Sequence, residues 1–343
     1  MMRLPLPWLL TLTTAALALL LVGSLATGPM SLSLGESLRA LFAGQQSGIE
    51  AHKLLIVQEI RLPRTLLCIA VGAILGLCGA VMQGLFRNPL ADPGIIGVSG
   101  GAALGAALAI VLLAPLSQQW QSLLGLGLLP LLAFLGGALT TTLVYLLGTR
   151  EGGTSVTVML LAGVAITALS GAVIGLLTYL ADDQMLRNLS LWQMGSLAAG
   201  KPLDVALALA TLAALLWLFM RDANPLNALL LGEGEARHLG VNVQALKRRL
   251  ILLTAAGVGV AVAVAGMIGF VGLVVPHLVR LLAGPNHVRL LPLSALLGAG
   301  LLLGADMLAR TLLAPAELPV GIITALMGAP FFIWLLVKSR RTL

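Results

Sequence analysis

The stretch RDANPLNALLLGEGEARHLGVNVQALKRR, residues 221–249, decides the fold, because it is the longest charged segment between two strongly apolar halves. Asn224-Pro225 opens it, GEGEARHLG forms its centre and Lys247-Arg248-Arg249 closes it. It is too polar to cross a bilayer and too long to be a simple turn. It predicts short helices on the cytoplasmic face, offered to a soluble partner.

Around this island the chain reads as membrane. With 59% hydrophobic and 10% charged residues and a mean hydropathy of +1.05, a soluble domain is excluded. Forty glycines against 7 Phe and 2 Tyr favour helices packed through small residues over a β-barrel of alternating strands. The net charge of +7 points to basic cytoplasmic loops and not to nucleic acid. Cys68 and Cys78 lie ten residues apart in one apolar run, on different helix faces, so neither a disulfide nor a metal site is expected of them.

Upstream of the island, the run from Leu6 to roughly Ala26 ends in Ser24-Leu25-Ala26, which resembles a cleavage site. Its length approaches the ~20 residues of a full crossing and exceeds a signal core, so it reads as an uncleaved first span. Gly28 to Arg64 is mixed in polarity and reads as an external loop with short amphipathic pieces. Apolar runs follow at roughly 65–86, 94–114, 123–147, 155–180 and 203–220. The intervening segment Asp182 to Lys201 is expected to lie as a helix at the outer surface.

Downstream, residues 250–283 form one apolar run of 34, long for one crossing and short for two. Crossing twice places 13 of the 20 basic residues inside, whereas crossing once leaves 9 inside and 11 outside. The positive-inside rule selects two crossings. Runs at about 290–313 and 319–337 then bring the total to ten transmembrane helices, an all-α polytopic protein with both termini cytoplasmic. Four pairs of glycines four apart, Gly72/Gly76, Gly101/Gly105, Gly171/Gly175 and Gly300/Gly304, are expected to pack helices tightly within the subunit.

Two motifs suggest chemistry and lose to simpler readings. Gly195 to Pro202, GSLAAGKP, nearly matches a phosphate-binding loop, but Pro202 stands where a hydroxyl residue would hold magnesium and no strand precedes it. The chain itself is therefore not expected to hydrolyse nucleotide. Gly97-Val98-Ser99-Gly100-Gly101 fits G-x-S-x-G, and an intramembrane serine protease would pair Ser99 with a histidine such as His277. A glycine-rich helix start explains the same residues without catalysis. His52, His238, His277 and His287 lack the mutual spacing of a zinc site. Asp306 and Arg310, four apart, suit an intrahelical ion pair. A transporter driven by an ion gradient would place ionisable residues at mid-membrane, whereas here nearly every charge falls at a predicted span end.

Five stretches together resemble a known family, the ten-span permease subunits of binding-protein-dependent ABC importers for iron-siderophores, haem and cobalamin. They are RLPRTL at 61–66, QGLFRNPLADPGIIGVSGGA at 83–102, GEARHLGV at 234–241, GFVGLVVPHLVRLLAGPNHVRLLP at 269–292 and ADMLARTLLAPAELPVGIITALMGAPFFIWLL at 305–336. The resemblance covers nearly the whole chain and implies one permease domain over 1–343 with the type II importer fold. Residues 221–249 would be its cytoplasmic coupling loop. It further implies a homodimer in the bacterial inner membrane, surrounded by lipid, with two cytoplasmic ATPase subunits and a periplasmic binding protein.

On this reading no cofactor is bound permanently, and ATP and Mg are used by the partner. Gly232, Glu235, Ala236 and Gly240 resemble a shortened coupling motif, with the small residues permitting close docking of the ATPase. Arg61, Arg64 and Arg310 match arginines of the family's RLPR and ADxxAR patterns and are expected to form a basic surface for the binding protein. The external segment 182–197 looks most like the haem-importing members. Tyr179, Met185, Trp192 and Met194 would then offer a soft, partly aromatic surface at the pathway mouth. A ferric siderophore or cobalamin is the alternative cargo.

Overall fold

A computed structural model of the chain describes residues 5–30, 32–42, 50–113, 127–150, 153–198 and 200–339. The described residues are almost entirely helical. In chain order come α1 (Leu6–Ala26), α2 (Leu34–Phe42), α3 (Ala51–Leu85), a 3₁₀ turn Pro93–Ile96, α4 (Val98–Val111) and α5 (Leu128–Gly148). A two-residue antiparallel pair, β1 (Thr149–Arg150) and β2 (Gly153–Thr154), leads to α6 (Val156–Leu180), α7 (Asp183–Gln193) and α8 (Pro202–Arg221). The island becomes α9 (Ala223–Leu230) and α10 (Glu233–His238). Then come α11 (Val243–Ala265), α12 (Val271–Ala283), α13 (His287–Thr311) and α14 (Val320–Ser339).

Seven of these are long and apolar enough to cross a bilayer: α1, α3, α5, α6, α8, α11 and α13. Three shorter apolar helices, α4, α12 and Val320–Leu335 of α14, occupy the remaining expected runs. The 34-residue run does fold as two legs. Its second leg is a 13-residue helix, only about 20 Å long at 1.5 Å per residue. The non-helical segment Gly266–Phe270 joins the two legs. Irregular backbone at membrane depth needs protein cover. Here Ser196 N–H donates to Ala265 C=O at 2.8 Å and Gly321 N–H to Met194 C=O at 3.1 Å, so loop, break and the start of α14 cross at one point. Gly266, at φ 69 and ψ −165, occupies backbone space open essentially only to glycine, and an added Cβ would strike Trp192 C=O.

α3 is the central post, nearly every side chain from Leu67 onward being buried. It packs on α13 by backbone approach: a Cβ on Gly72 would collide with Gly298 C=O, and one on Gly76 with Ser294 C=O. Gly101 and Gly105 sit the same way against Gly136 and Leu132 of α5. The expectation of tight packing fails for the other two pairs. A Cβ at Gly171, Gly175 or Gly304 would meet nothing within 4 Å, and one at Gly300 only Leu20 at 3.6 Å.

The expected external loop 28–64 is also more helical than its charges suggest. α3 begins at Ala51 and reaches its apolar part through a π-helical turn, Ile56–Arg61. Leu54 and Val57 bury against Leu32 and Ala40, giving this segment a small core of its own. Lys53 donates to Glu36 at 2.8 Å; with the Ser33 N–H and hydroxyl it holds the Glu36 carboxyl down at about 2.

Candidate functional site

At one end of the bundle the polar island is fastened by side chains from distant helices. Buried Asp222 accepts from the Arg249 guanidinium, Nε at 2.7 Å. Asn227 Oδ1 accepts the His287 N–H at 2.8 Å, and its Nδ2 donates to Asn286 Oδ1 at 3.0 Å. The Lys247 ammonium donates to Glu233 at 2.6 Å and to Thr154 C=O at 2.9 Å. Gly232 starts α10 at φ 120 and ψ 157, again glycine-only space. The helix closes with Gly240 N–H on Arg237 C=O and Val241 N–H on Ala236 C=O, a C-terminal cap that uses the positive φ of Gly240.

This geometry corrects one expectation for the island. Ala236 is fully buried against its own chain, so it cannot be the small residue that lets a partner approach. Gly232 supplies backbone shape, and Gly240 and Glu235 lie exposed. The outward face also carries Leu231 and Leu239, 67% and 63% exposed, which sequence reasoning missed. Their signal was present: two leucines bracketing a charged core that no span explains.

At the opposite end the three expected arginines do come together, but not as a surface. Arg61, Arg64 and Arg310 are only 3%, 6% and 2% exposed. Arg61 donates to the C=O groups of Leu25, Ala26 and Met30. Arg310 donates to Thr27 C=O at 3.0 Å and Ser24 Oγ at 2.8 Å and pairs with Asp306 at 3.0 Å. Together they satisfy the orphan carbonyls at the end of α1, where the helix dipole favours cations. Arg64 binds Asp306 at 2.8 Å and Glu317 at 2.6 Å. Their donors are committed within the chain, so the exposed docking patch becomes an internal clamp.

Of the four residues expected at a pathway mouth, Met185 and Trp192 share one apolar cluster. Trp192 lines a hollow of about 490 Å³ with Ile110, Leu128, Asn188, Lys201 and Asp204. Met185 packs from α7 against the cluster of Leu177 and Leu189, as Trp192 does, Tyr179 is 86% exposed at the end of α6, and the Met194 carbonyl meets Gly321. The protease pair is not assembled either. Ser99 lines a separate small hollow beside Asp92 and Gly272, whereas the His277 ring meets Phe331 edge-on at 6.3 Å.

A small-residue helical bundle with a fastened polar island is now matched by likeness over its length. The model of the FecCD transport family covers residues 16–338. The chain belongs to the FecCD transport family. This FecCD chain is 47% identical over 327 residues to the hemin transport system permease protein HmuU of Yersinia pestis, covering 94% of the chain and 93% of that protein. It is 42% identical over 338 residues to the vitamin B12 import system permease protein BtuC of Klebsiella pneumoniae, covering 97% and 94%. A solved inward-facing conformation of a metal-chelate type ABC transporter superposes with a TM-score of 0.83 at 35% identity, covering 97% of this chain and 99% of that one. The PsaBC structure from Streptococcus pneumoniae shares the fold at a TM-score of 0.58 and 21% identity. FecCD membership makes the chain a multi-pass membrane permease of the ABC importer class.

Proposed function

We propose that this FecCD permease moves haem inward across the bacterial inner membrane. It would do so as a homodimer served by two cytoplasmic ATPase subunits and a periplasmic binding protein. ATP and Mg act in the ATPase, and the permease modifies no substrate and holds no resident cofactor. The observation that carries the choice of haem is the 47% identity to a hemin permease over 94% of the chain. Trp192 in the wall of the hollow beside α7 gives a flat macrocycle an aromatic face to rest on. Both termini and α9–α10 are cytoplasmic in this reading, with the ATPase seated on Leu231, Glu235, Leu239 and Gly240. The binding protein docks on the opposite end, where the arginine clamp fixes the shape of the surface instead of contacting the partner.

Reconstitution decides the substrate. With its ATPase and binding protein in proteoliposomes, the permease is expected to accumulate haem when ATP is added. Cobalamin uptake without haem uptake would reject haem and leave the importer standing, as would uptake of a ferric siderophore alone.

A further inference from the structure

Lys247 is buried, only 2% exposed. An ammonium in that position needs both its charge and its N–H donors answered. Its two partners lie on different elements. Glu233, at 2.6 Å, is the first residue of α10. The Thr154 carbonyl, at 2.9 Å, belongs to the short β pair that ends α5 and begins α6. One turn earlier on α11, Gln244 accepts the Thr154 N–H at 3.0 Å, so both backbone groups of Thr154 are held by α11. The pair is closed on itself by Thr149 Oγ1 against Thr154 Oγ1 at 3.1 Å.

On the far side, α6 leaves most of its surface uncovered by the rest of the chain. Over its 25 residues α6 buries only Met159, Gly163, Ser170 and Leu177. Lys247 thus joins the exposed island to the β pair that links α5 and α6.

We propose that Lys247 is a positioning residue that makes α10 and the β1–β2 pair one mechanical unit, so that displacement of α10 by the ATPase reaches the inner ends of α5 and α6. This inference rests on the ATP-driven reading above, and wild-type uptake is therefore measured first. If ATP drives no uptake of haem, cobalamin or siderophore, that reading fails; if it does, the variants judge Lys247.

The test is reconstitution of Lys247→Met and Lys247→Arg with the ATPase and binding protein, reading uptake and ATP hydrolysis separately. Lys247→Met is expected to hydrolyse ATP but to lose about tenfold in substrate moved per ATP, within the usual span of coupling between sites. Lys247→Arg, which can reach both oxygens, restores most of that ratio. A structural role alone would lower folded yield and leave the ratio intact. Independently, spin labels at Arg150→Cys and Arg237→Cys report on the two elements, since native Cys68 and Cys78 are buried. With Lys247 present the label distance is expected to stay constant between nucleotide-free and ATP-bound complexes. An unchanged ratio in Lys247→Met, or labels that separate on ATP binding, overturns the proposal, and the label pair decides if Lys247→Met does not fold.

Discussion

Arg61 and Arg310 converge on the last carbonyls of α1 from two helices, and Arg64 meets Asp306 across 242 positions of sequence. A buried cluster of this kind is held by mutual pairing, and removal of one member leaves uncompensated charge. Asp306 is the shared acceptor, paired with Arg64 and Arg310. Asp306→Asn is therefore expected to cost about 3–5 kcal/mol of stability, read as a lower unfolding temperature in detergent. Unchanged unfolding would remove the clamp. Charge reversal at Arg61 is expected to act the same way, lowering folded yield before it alters the salt dependence of binding-protein association. The sequence made all three arginines visible but not their direction, because donors that face inward and outward look alike until α1 is packed against α13.

At the scale of single elements, α10 separates backbone demand from packing. Gly232→Ala is expected to cost about 1–3 kcal/mol, since its φ of 120 strains any side chain. Gly234→Ala, two residues on, faces open space at an ordinary helical φ and is expected to stabilise by about 0.5–1 kcal/mol. Thermal unfolding of the two variants in parallel checks the contrast, and equal effects would contradict it. Length, hydropathy and charge made the spans legible, including the two legs of residues 250–283. The break itself was not legible, because Gly266 is one glycine among 40 and its role depends on Trp192 lying across it. The helical start at Ala51 was hidden for a related reason: Glu36, Lys53 and Glu59 read as loop until Leu54 and Val57 find Leu32 and Ala40.

Across the whole molecule, burial is uneven in a way that suits its class. α3 is enclosed, while α1, α6 and α8 leave most of their apolar surface uncovered. In water that surface would be an aggregation hazard; in a membrane it can face lipid. Among the described residues the buried ion pairs gather at two ends, the clamp around Asp306 and the island around Lys247. Between them the described spans hold none of the charge pairs by which a gradient-driven carrier binds its coupling ion. Transport is therefore expected to be driven by ATP. The direct measurement is substrate uptake by proteoliposomes containing the permease, its ATPase and the binding protein, with ionophores present to collapse every ion gradient. Uptake that persists with hydrolysable ATP and stops with a non-hydrolysable analogue is the predicted result; uptake that follows an imposed ion gradient without ATP would contradict it.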